Sequence, residues 1–79
     1  MKVYIVEQNT YDGNNRYGVY SDIEKARNKM KELFECEQKF YSVEGYEEFQ
    51  VCWINLNSFV MKFNDHIQAE YVISEVDVE

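Results

Sequence analysis

His66 is the chain's one histidine, and it follows Asp65 directly. A carboxylate beside an imidazole can orient it as a general base. No nucleophile can be assigned to it, so the simpler reading is an exposed histidine in a turn. Glu47 and Glu48 are adjacent carboxylates, the residue type that does acid–base work or holds Mg²⁺. As neighbours on a strand they point to opposite faces and do not converge. Asp12-Gly13-Asn14-Asn15 has the composition of a calcium loop but lacks its spaced ligands and closing glutamate. Cys36 and Cys52 are the only cysteines, and with one histidine they do not make a zinc site. They are expected to be buried, reduced and structural. There is no glycine-rich phosphate loop and no nucleophile elbow, and the chain has three glycines in all. The expectation is a protein without catalytic residues, metal or cofactor.

What remains to carry function is surface. The net charge of −7 is unevenly spread: residues 1–39 hold seven basic and seven acidic side chains. Residues 40–79 hold eight acidic ones (Glu44, Glu47, Glu48, Asp65, Glu70, Glu75, Asp77, Glu79) against Lys62 alone, so the second half carries the whole imbalance. Direct binding of nucleic acid needs a basic footprint and is not expected. A protein partner with a basic surface is electrostatically favoured. Seven Tyr, five Phe and one Trp are more rings than one small core can hide. Glu47, Glu48, Trp53, Asp65, Glu70, Tyr71, Glu75 and Asp77 are therefore expected to form an outward acidic, aromatic binding face. The competing reading is that acidity serves solubility and that a homodimer contact covers the rings.

These residues need elements to position them. Ser21 to about Gln38 is the clearest: Ser21-Asp22-Ile23-Glu24 fits a capping box with Ser21 as N-cap and Glu24 at N3. Behind it Ile23, Ala26, Met30, Leu33 and Phe34 form one apolar stripe at helical spacing. A lone helix of this length is marginal in water, so the stripe must lie on a β layer. Lys2–Gln8 reads as a strand, Asn9–Arg16 as a turn, and Tyr17–Tyr20 as a returning strand in which Gly18 marks a bulge or a close approach. Glu47–Ile54, Phe59–Phe63 and Ala69–Val78 read as three more strands, with turns at Asn55–Ser58 and Asn64–His66. In the last strand, Tyr71, Ile73, Glu75 and Asp77 share one face, expected to be solvated. The order β-β-α-β-β-β gives a single α+β domain over residues 1–79, one helix on a mainly antiparallel sheet. No apolar run reaches the length of a membrane span and no signal peptide is recognised, so a cytoplasmic protein is expected.

At Tyr17-Gly18-Val19-Tyr20-Ser21 and Glu24-Lys25-Ala26 the chain resembles short uncharacterised proteins of phages and bacteria. The likeness covers the first third and the last ten residues, and carries no functional residue with it. In size, acidity and tyrosine content the chain is also similar to phage-encoded inhibitors of host defence nucleases, such as anti-CRISPR proteins. That resemblance implies a non-enzymatic inhibitor or regulator in the host cytoplasm, acting as a nucleic-acid mimic on a basic surface.

Overall fold

β-Branched and aromatic residues at alternate positions set the strands, and one capped amphipathic run sets the helix. The computed structural model describes residues 1–44 and 49–78, with side chains for 1–40 and 49–78. In chain order the elements are β1 (Lys2–Thr10), β2 (Gly13–Tyr20), α1 (Ile23–Glu44), β3 (Phe49–Asn55), β4 (Ser58–Phe63) and β5 (His66–Asp77). This is the expected α+β order. The strands form one five-stranded sheet, β2-β1-β5-β4-β3, and every pairing is antiparallel. β1 and β5 lie side by side from Lys2↔Asp77 to Thr10↔Ala69. Beyond that ladder the Val78 N–H donates to the Met1 carbonyl at 2.8 Å.

Three local expectations are corrected. The helix starts at Ile23, and Asp22 is its cap: the Glu24 N–H donates to Asp22 Oδ1 at 2.8 Å. An aspartate one residue nearer the first turn does what Ser21 was expected to do, and its charge also suits the helix N-terminus. At the other end α1 runs past Gln38 to Glu44, just before Gly45. The Asn9–Arg16 turn shrinks to Tyr11-Asp12, because Asn14 and Asn15 pair in register with Asn9 and Gln8. Asn14 Nδ2 donates to Asn9 Oδ1 at 2.6 Å, so polar side chains that suit turns here bridge two strands. Gly13 closes this tight hairpin at φ +143°, a backbone angle that suits glycine.

Gly18 does mark a bulge: the β1–β2 register shifts between Val6 and Glu7, opposite Gly18 and Arg16. A Cβ there would come within 2.7–2.9 Å of the Tyr20 ring. Asn64 and Asp65 both take positive φ (49° and 69°), the left-handed pair that a two-residue hairpin turn requires.

The helix stripe lies across the sheet as expected. Ala26 and Met30 are fully buried against Val6, Phe59, Met61, Ala69, Tyr71 and Ile73, with Leu33 and Phe34 packed at the margin. Val6↔Ile73, Phe59↔Tyr71 and Met61↔Ala69 are cross-strand pairs, so the sheet register itself assembles the floor of this core. Among the described residues, no helix is long and apolar enough to cross a membrane.

Candidate binding surface

The anticipated acidic face is not one face. Asp65 sits exposed in the β4–β5 turn. Glu70 lies opposite Asn9 and Val60, on the side of the sheet away from the helix. Glu75 and Asp77 are exposed on the helix side, beyond the part of β5 that enters the core. Glu75 is also met by Lys2 Nζ at 3.2 Å. Glu47 and Glu48 fall outside the described residues. Period-two alternation accounts for the split: 70 differs in parity from 75 and 77, so no single partner surface can meet all three.

Tyr71 is the clearest correction. It was expected to face outward and is 1% exposed, in the centre of the core. Its ring stacks on Phe59 at 4.5 Å and on Tyr17 at 5.9 Å. Its parity with Ala69 and Ile73 was the missed signal: those three residues make the apolar middle of β5. Along the same face the side chains pass from core to solvent because the helix covers only that middle.

Burying a phenol demands partners for its oxygen, and the sequence supplies them from three elements. Tyr71 Oη donates to Glu37 Oε1 on α1 at 3.0 Å and accepts from Gln8 Nε2 on β1 at 2.9 Å. Gln8 Oε1 in turn accepts from Asn15 Nδ2 at 3.0 Å and from Tyr17 Oη at 3.3 Å, both on β2. Every donor in this chain points one way, toward the Glu37 carboxylate. Burial, then the charge of Glu37, pushes the Tyr71 hydroxyl far above the ordinary tyrosine range. It keeps its proton at neutral pH and is neither base nor nucleophile there. The polar groups at this end are paired within the chain, while the Tyr17 ring itself is 40% exposed.

The row continues through Phe59 to Trp53, whose ring centroids lie 5.1 Å apart, and Phe34 stacks on Trp53 at 5.0 Å. Here the molecule is open. Trp53 is 39% exposed, Ile54 59% and Leu56 73%. A hollow of about 410 Å³ lies between α1 and the β3–β4 hairpin, lined by Glu24, Arg27, Lys31, Trp53, Asn55 and Leu56. A second, of about 420 Å³, adjoins it through Arg27, Asn55 and Leu56.

The hairpin tip is tied down. The Asn57 N–H donates to Asn55 Oδ1 at 2.8 Å, and Arg27 Nε donates to Asn57 Oδ1 at 2.9 Å. The Asn57 carbonyl accepts from the Ile73 N–H at 2.9 Å, fixing the tip to the sheet as well. Arg27 Nη1 also meets Glu24 Oε1 at 3.2 Å across one helix turn. Asparagines that bond local backbone make the turn without help from Leu56, so that side chain is left outside. Apolar groups held on a fixed tip, beside Lys31 and an Arg27 already paired with Glu24, can accept a protein segment with apolar side chains.

Of the expected contact residues that the structure describes, only Trp53 belongs to this surface. Ile54, Leu56, Arg27 and Lys31 were missed. The available signal was a leucine between two turn-forming asparagines, a place where burial is not required.

His66 opens β5 opposite Phe63 and is exposed. Cys36 is exposed rather than buried, Cys52 is half-buried, and both are free thiols. Among the described residues, no three His, Cys, Asp or Glu side chains gather in a way that could hold a metal ion.

The fold and this surface define a small two-layer α+β domain with an open hairpin end. The chain belongs to the domain family of unknown function DUF7336, whose profile matches residues 1–57. The match spans β1, β2, α1 and β3 and ends in the turn before β4. Neither the curated proteins nor the solved structures contain a match to it.

Proposed function

We propose that the chain is a non-enzymatic protein-binding domain that docks through the open end around Trp53, Ile54 and Leu56. The single observation that supports this reading is the exposure of three large apolar side chains on a hairpin tip held by Arg27 and Asn57. A tip already ordered loses little conformational entropy on binding. The carboxylates have a different task. With a net charge of −7, they steer a partner with a basic surface toward the domain from a distance. An inhibitor or regulator of a host nucleic-acid-handling protein, as the phage resemblance implies, is the finer form of this proposal. In that form steering does not require the carboxylates to imitate a phosphate row.

Affinity capture from host lysate, run side by side with Leu56→Asp and with Glu75→Lys/Asp77→Lys, tests it. The same protein should be captured by the native chain and lost with Leu56→Asp. The charge-reversed variant should keep it at high salt and capture it more weakly at low salt. Capture unaffected by Leu56→Asp would remove the proposal.

A further inference from the structure

The two edges of the sheet are built differently. β2 carries the devices that discourage pairing: a bulge opposite Val6 and Glu7, two glycines, and the charged Arg16. β3 has one register shift, at Ile54, and carries none of them from Gln50 to Trp53. The run from Gln50 to Ile54, Gln-Val-Cys-Trp-Ile, has no charge, no proline and no glycine, and it is rich in strand-forming residues. It ends the sheet, with no described strand beyond it.

An uncharged edge is complementary to itself. Two such strands laid antiparallel meet no like charges, and a two-fold axis at Cys52 aligns them up to the register shift at Ile54. Val51 then faces Trp53 of the second copy, twice, the β-branched and aromatic type of pair that sheets favour. Gln50 faces Ile54 in the same way. The register shift of β3 against β4, between Trp53 and Asn55, falls at the outer end of this segment and leaves its centre regular. Trp53 and Ile54, 39% and 59% exposed, would both gain cover.

We propose that a second copy of this chain is the occupant of the β3 edge, pairing Gln50–Ile54 antiparallel about Cys52 to join the two sheets into one. This inference does not rest on the hairpin partner, which would compete with the second copy for Trp53 and Ile54, and it is tested without one.

The experiment is sedimentation equilibrium of the full chain from micromolar to submillimolar concentration. The comparison is Gln50→Lys/Ile54→Lys, two positions already exposed in the single chain. In the proposed pairing each new lysine lies directly opposite another, so the dimer dissociation constant should rise about tenfold while the thermal midpoint at low concentration holds. Added salt should strengthen the native dimer, because two chains of net charge −7 repel at long range. Capture of a basic partner responds to salt in the opposite direction.

A covalent readout uses Cys36→Ser, which leaves Cys52 as the sole thiol. Across an antiparallel pair the two Cys52 Cα atoms stand roughly 4.5–5.5 Å apart, within disulfide range. Oxidised glutathione should therefore link them, the two thiols passing two electrons and two protons to it and releasing two reduced glutathiones. A native chain that stays monomeric throughout overturns the proposal, including one that instead takes an extended peptide on β3. So does a dimer indifferent to the paired lysines, or one in which Cys52 fails to crosslink.

Discussion

One aromatic row crosses the molecule beneath the helix, and its two ends are finished in opposite ways. At the β2 end, Tyr17 and Tyr71 direct their hydroxyls into a chain of hydrogen bonds that closes on Glu37. At the β3 end, Trp53 continues the stacking and is no more exposed than Tyr17 (39% against 40%), but it stands beside Ile54 and Leu56, 59% and 73% exposed. Burial alone does not distinguish a structural ring from an interacting one. The distinction lies in whether the polar and apolar requirements of each end are met within the chain. The hydroxyls of the Tyr71 end are satisfied internally, and the Trp53 end adds the apolar surface of Ile54 and Leu56.

The largest expected effect falls where the two ends meet. Phe59 touches Tyr71, Trp53 and Phe34 at once and is fully buried. Phe59→Ala should destabilise the domain by about 3–5 kcal/mol, read by urea denaturation, and should disturb both ends together. A loss confined to one end would mean that the row is not a single packed unit.

The closed end has its own signature. Tyr71→Phe removes the hydroxyl while Glu37 and Gln8 keep their polar groups, at an expected cost of about 1–3 kcal/mol. The sign of its pH dependence follows from burial. The folded-state pKa of Tyr71 is raised above its ordinary value of 10.0, so its contribution is fully present below that value. It is lost progressively as pH rises above it, because the unfolded chain sheds the proton first. Stability measured from neutral to strongly alkaline pH should fall more steeply for the native chain than for Tyr71→Phe. Equal slopes would show that Tyr71 is not held protonated by its surroundings.

Smaller effects belong to the open end. Asn57→Ala removes the acceptor for Arg27 at a part-exposed site, so it should cost only about 1 kcal/mol. It should, however, loosen the hairpin tip, visible as a change in Trp53 fluorescence. Leu56→Asp should alter stability by less than about 0.5 kcal/mol, since Leu56 is 73% exposed, and yet abolish partner capture. If Leu56→Asp destabilised the domain strongly, Leu56 would be a packing residue and the contrast between the ends would weaken.

The sequence made the architecture readable because its strongest signals were local. A capped stripe at helical spacing and runs of Val, Ile and aromatic residues give the order of elements without any long-range information. The details that escaped depend on tertiary partners. Asp22 rather than Ser21 caps the helix by a choice of one residue that pattern alone does not decide. Asn14 and Asn15 look like turn residues and become strand residues because Asn9 and Gln8 face them. Tyr71 looked outward because Glu75 and Asp77 share its face. Only the limited cover of the helix explains how one face can hold both a core tyrosine and solvated carboxylates. The candidate surface was the least legible part: Trp53 was anticipated, but its neighbours come from α1 and the hairpin tip, which no periodicity brings together.

The most direct measurement is capture of the partner by the native chain and by Leu56→Asp, each first shown by urea denaturation to be equally stable. The account predicts that the variant folds normally and captures nothing. Undiminished capture by a normally folded Leu56→Asp chain would contradict it.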